Sequence, residues 1–243
     1  MPEVDVPTAK ELIEQIHEHV GTGQIADLVR GLEDKARALQ ELLLEPGIDA
    51  DRVRRALQWT FAGRRRASAI LGAREDAALA AWVTDLLTGA DPAAERLARF
   101  SAATPGLRPA AAVEVGAELL HFTAPERHPL WSRWIWSEES RTGALALLIA
   151  EEFDLEAETV SEGYERVSAA TRALHDSPEA AAFRLSGGGR LATDVMLACT
   201  YGVYMRTVLG LKMTQEFNAL VPAMDELVRR LLGTHFHPRE EVA

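Results

Sequence analysis

"IADLVRGLEDKARALQELL", residues 25 to 43, decides the fold. Ile25, Leu28, Val29, Leu32, Ala36, Leu39 and Leu43 recur at helical spacing and fall on one stripe, with charged residues over the remaining surface. A strand would need strict alternation, which is absent. Pro46-Gly47 closes the pattern. Upstream, Thr8 and Glu11 match the S/T-x-x-E capping box before "LIEQIHEHV", and Gly21 ends that helix.

The same signals continue downstream. Asp51 opens a third helix through Val53, Leu57 and Phe61, Arg74 to Leu87 reads as a fourth, and Asp91-Pro92 starts a fifth as N-cap and first-turn proline. From Pro109 to Phe122, Ala111, Ala112, Val115, Leu119 and Leu120 face a core. The segment "LWSRWIW", residues 130 to 136, is expected to be helical, as are 143 to 153, 156 to 175, a short piece from Pro178, 191 to 209, and a last helix from Pro222. The expectation is an all-α, compact multi-helix globular bundle of roughly ten to twelve helices. With no internal repeat or linker, residues 1 to 243 read as a single helical domain with a possible subdivision near 105 and a frayed tail over 234 to 243.

Composition narrows the function classes. At 47% hydrophobic, 243 residues can bury a sizeable core. A net charge of -11 and a pI near 5.2 argue against broad attraction to nucleic acid or anionic lipid. Cys199 is the single cysteine, so neither an intrachain disulfide nor a cysteine zinc cage can form, as suits a reducing cytoplasm. The N-terminus begins acidic and polar, unlike a secretory signal. The most apolar run, "VMLACTYGVYM" at 195 to 205, is too short to span a bilayer and is expected to be a buried helix.

Chemistry-bearing residues concentrate in "AELLHFTAPERHPLWSRWIWSEESR", 117 to 141, which holds three of the five tryptophans. Just before and within it, Glu114, Glu118 and His121 share one helix face, and Glu118-x-x-His121 repeats the E-x-x-H element of carboxylate-bridged di-metal bundles. Glu14-x-x-His17 is a second copy. So short a motif recurs by chance in an acidic chain, so no cofactor is favoured and a di-metal site stands as the alternative. Arg127, Arg133 and Arg141 can instead pair with neighbouring carboxylates, while Trp131, Trp134 and Trp136 anchor the segment or face a partner. Tryptophan beside arginine is the composition of an interaction hot spot. Arg127, Trp131, Arg133, Trp134 and Trp136 are therefore the candidate partner-binding residues.

"TPGLRPAAAVEVGAELLHFTAPERHPLW", 104 to 131, resembles the hairpin, helix and substrate loop of helix-hairpin-helix DNA glycosylases. The resemblance implies backbone contacts to DNA from the hairpin near Gly106. Arg108 replaces the second hairpin glycine, and Ser132 and Arg133 stand where the catalytic aspartate is expected, with no lysine nearby. The shared feature is a common helix-turn-helix geometry rather than ancestry.

Other features have plainer readings. Arg64, Arg65 and Arg66 could meet phosphate but spread around a helix as a solvated face. "SGGGR", 186 to 190, lacks the ending of a phosphate loop, and His235-x-His237 lacks further ligands. Cys199 reads as core, and Tyr201 and Tyr204 with Arg206 and Lys212 as a polar pocket or core hydrogen-bonders. The reading is a cytoplasmic accessory or adaptor protein that binds another protein. A metal-binding or oxidoreductase bundle on paired E-x-x-H elements is second, and nucleic-acid binding through Arg64 to Arg66 and the hairpin is third. No membrane span is expected, and the oligomeric state is open.

Overall fold

The computed structural model describes residues 1–64, 67, 70, 75–103, 107–212 and 222–235, apart from the side chains of residues 76 and 209–212. Arg65, Arg66, Arg74, the Pro105-Gly106 hairpin and the tail from residue 236 lie outside the described residues. Among the described residues there are twelve helices and no strand, only two isolated antiparallel bridges. The all-α expectation holds.

The chain forms two compact units. The first comprises Met1–Leu32, Arg133–Glu156 and Ala169–His235. The second comprises Glu33–Ser132 and Ala157–Ser168. Helices α2 (Thr22–Leu43) and α9 (Val160–Asp176) contribute residues to both.

In the second unit, α3 (Ala50–Trp59), α4 (Phe61–Arg64), α5 (Asp76–Thr88) and α6 (Ala93–Ala102) lead to α7 (Pro109–Thr123). Every residue of α7 from Ala111 to Thr123 is buried, as a helix apolar nearly all round requires. Gly116 makes this possible. A Cβ there would lie 2.6 Å from Leu97 Cδ1 and 2.8 Å from Phe100 Cδ1, so its absence lets α6 lie close on α7. Trp82 of α5 stacks on Phe100 at 3.9 Å between centroids, which ties α5 to the same face.

In the first unit the counterpart of α7 is α11 (Arg190–Lys212), packed by α1 (Val6–His19), α8 (Ala144–Leu148), α10 (Ala181–Arg184) and α12 (Met224–Leu232). Residues 191 to 200 are buried without interruption. At Gly202 a Cβ would sit 2.9 Å from the Met224 side chain, so the glycine sets the close approach of α12.

Three local expectations change. α1 is capped by Asp5, whose carboxylate accepts from Thr8 N at 3.2 Å and from its hydroxyl at 2.7 Å, so the Thr8–Glu11 box is already inside the helix. α8 spans only Ala144–Leu148, and its C-terminal side is fixed by Asp5 N donating to Leu148 O at 2.9 Å. "LWSRWIW" is not helical but a run of turns. Its carbonyls serve the helix that follows: Ala144 N donates to Trp134 O at 2.9 Å and Leu145 N to Ile135 O at 3.1 Å, satisfying amides that open α8. Gly143, with φ +149°, permits this turn, because a Cβ would fall 2.3 Å from Ile135 O.

Candidate functional site

The charged residues of α7 are inside the second unit. Glu118, 4% exposed, accepts from Phe61 N at 3.0 Å and Ala62 N at 2.9 Å, the opening amides of α4. Its counter-ion is Lys35 of α2, whose Nζ lies 3.5 Å from Oε1 and 4.1 Å from the centroid of the Phe122 ring. Lys35 is itself 1% exposed. The next amide of α4, Gly63 N, goes to Thr60 Oγ1 at 3.1 Å. Gln40, further along α2, donates to Phe122 O and Thr123 O at the end of α7, at 3.5 and 3.4 Å. One carboxylate thus joins three helices, and both of its oxygens are engaged.

His121 is buried, and its Nδ1 lies 2.9 Å from His128 O, which as a carbonyl can only accept. Glu114 is buried on the same helix. His128 is pushed down to about 4 by burial first, then by Arg96, His121 and Arg127, so it is neutral at physiological pH. The other E-x-x-H pair, Glu14 and His17, is exposed on α1, where His17 stacks near Phe183 with centroids 6.2 Å apart. Among the described residues no group of three or more His, Cys, Asp or Glu side chains is placed to hold a metal ion.

The tryptophans are inside as well. Trp131, Trp134 and Trp136 are 6%, 3% and 5% exposed, and only Arg127 and Arg133 of the candidate partner-binding set reach the surface. The physical reason is area: an indole buries far more apolar surface than the turn could leave wet without penalty. In the second unit Trp131 lies against Tyr164, 6.4 Å between centroids. In the first unit Trp134 lies against Tyr201 at 6.4 Å, and Tyr201 against Tyr204 at 5.8 Å.

That last chain of rings leads to the surface. Beyond the buried stretch of α11, Tyr201, Tyr204, Met205 and Val208 recur at i, i+3, i+4 and i+7 and are all half-buried. Arg133 is exposed and close enough to Tyr201 for its charge to act on the phenol. Burial and Tyr204 raise the Tyr201 pKa, and Arg133 opposes them. Arg206, on the same turn, donates to Pro222 O at 3.1 Å. A stripe of two tyrosines, a methionine and a valine, floored by Trp134 and edged by arginine, can take an apolar side chain and a carboxylate together.

Tyr201, Tyr204 and Arg206 stand out in the sequence as aromatic and basic residues on one helix, whereas Met205 and Val208 carry no signal beyond their spacing. Lys35, the partner of Glu118, sits within an ordinary charged helix face in the sequence. Cys199 is fully buried on α11, and burial pushes its thiol up to about 12, as a core cysteine should behave.

No helix among the described residues is long and apolar enough to cross a membrane. No protein-family model matches the chain, and no curated protein or solved structure matches it.

Proposed function

We propose that this protein is a cytoplasmic accessory or adaptor protein that acts by binding another protein, and that the contact surface is the Tyr201–Tyr204–Met205–Val208 stripe of α11 together with Arg133. The observation that carries the reading is that these four residues are half-buried on one helical face while the ten residues before them are wholly buried. A helix that serves only as core would end its apolar run where burial ends. Trp134 then acts from below. It holds Tyr201 in place and need not touch the partner.

The fitting partner is an amphipathic segment with an apolar row flanked by carboxylate. The apolar row meets Tyr204, Met205 and Val208, and the carboxylate meets Arg133. An acidic chain keeps nonspecific anionic partners away, so the arginine edge supplies specificity as well as affinity. The cytoplasmic placing rests on the single cysteine.

The test is affinity capture from source-cell extract with the full chain as bait, alongside Tyr204→Ala/Arg133→Glu. A protein recovered in stoichiometric amount by the native chain and lost with the double variant supports the surface. Equal recovery by both, with folding unchanged, removes it.

A further inference from the structure

The α11 stripe has a neighbour. Arg206 Nη1 donates to Pro222 O at 3.1 Å just before α12 begins, and a Cβ at Gly202 would meet Met224 at 2.9 Å and Val228 at 3.7 Å. Rising numbers on α12 thus meet falling numbers on α11, so the two helices are antiparallel. Each residue of a helix turns by about 100°. With Gly202 facing Met224 and Val228, that rotation puts Tyr201, Tyr204, Met205 and Val208 on one side of the plane through the two axes. It puts Leu227 and Leu231 of α12 on the same side. Both leucines are half-buried, at i and i+4.

Two apolar rows flanking a close-packed seam make a groove. Met205 lies nearest the seam, Tyr204 and Val208 form one wall, and Leu227 and Leu231 form the other. Arginine edges both walls. Arg133 is exposed and adjoins Trp134, whose ring lies 6.4 Å from that of Tyr201 on the α11 side. On the α12 side Arg230 is exposed three residues after Leu227, where it pairs with Glu226. Cationic edges on both walls set this face apart in a chain of net charge -11.

We propose that α11 and α12 form a groove for one amphipathic α-helix whose apolar row is flanked on both sides by carboxylates. This rests on the docking reading above and adds Leu227, Leu231 and Arg230 to the contact. A third helix laid over an antiparallel pair sets its apolar row into the seam and its flanks over the walls. An extended peptide fits less well. Among the described residues there is no strand, so no sheet edge offers it backbone hydrogen bonds, whereas a helix arrives with its own already made.

The probe is a labelled, end-capped peptide of about 18 residues, or five turns, with leucine at i, i+3, i+4 and i+7 and glutamate on both flanks. Its fluorescence anisotropy is titrated with the full chain, beside one version with a central proline and one with lysine for glutamate. The acidic helical peptide should bind, and the other two should bind about tenfold more weakly or worse. Leu227→Asn/Leu231→Asn should cost a similar factor. Arg230→Glu changes only an exposed side chain, so it keeps the fold and should weaken the acidic peptide while strengthening the lysine one. Equal binding of the proline peptide overturns the helix. Failure of the acidic peptide to bind overturns the groove, as does a chain already dimeric through this face, which would place a second copy there. If Tyr204→Ala/Arg133→Glu weakens the peptide but neither α12 variant does, the groove is overturned and the α11 docking surface stands.

Discussion

Lys35 and Glu118 meet at 3.5 Å with both side chains almost wholly removed from solvent, and the carboxylate also accepts two backbone amides of α4. The pair holds α2, α4 and α7 in one arrangement. A buried ion pair adds little over well-packed apolar residues, but removing one member strands the other charge. Lys35→Met should therefore cost about 3 to 5 kcal/mol in urea unfolding. Adding Glu118→Gln should recover part of that loss, because the amide oxygen still accepts an α4 amide without carrying charge. Equal stability of native protein and Lys35→Met would show that the pair does not hold the unit together.

His128 gives the second unit a specific acid sensitivity. Its folded pKa, about 4, lies below the ordinary value of 6.5. As pH falls through 6.5 the unfolded chain takes up a proton that the folded chain refuses until about 4, so this group withdraws stability across that window and changes nothing further below it. His128→Gln cannot titrate there. The urea midpoint should fall more steeply from about pH 7 to about pH 5 in the native protein than in the variant. Parallel slopes would place His128 in water rather than in the packed environment of Arg96 and His121.

Cys199 should be inert while the protein is folded. With no exposure and a thiol pushed up to about 12, it presents almost no thiolate at neutral pH. A thiol-specific chromogenic reagent at about pH 8 should count no thiol in the native chain and one per chain in denaturant. Rapid labelling of the native chain would show that the α11 core opens.

The all-α fold is legible from the chain because its helices carry their own punctuation: the stripe from Ile25 to Leu43 is amphipathic over its whole length and ends at Pro46-Gly47. Where hydrogen bonding is set by distant residues, the local pattern misleads. Residues 130 to 136 have helix-compatible spacing, yet the carbonyls of Trp134 and Ile135 are taken by the amides of Ala144 and Leu145, and Gly143 alone tolerates that geometry. Glu118 looks like half of a metal motif because its partners, Phe61, Ala62 and Lys35, lie more than fifty positions away along the chain. Trp131, Trp134 and Trp136 are identifiable as anchors from their type, but nothing local says whether an anchor faces a partner or a core. The α11 stripe shows the same limit: a helix apolar on every side does not disclose which turn emerges.

The central claim is that the half-buried turn of α11 is a docking surface. Its most direct test is the dissociation constant of the partner recovered by the native chain, measured for that chain and for Tyr204→Ala/Arg133→Glu with melting temperatures compared in parallel. The double variant is expected to bind about thirty-fold more weakly or worse at unchanged melting temperature. An unchanged dissociation constant would contradict the claim, because neither the tyrosine stripe nor its arginine edge would then contribute to binding.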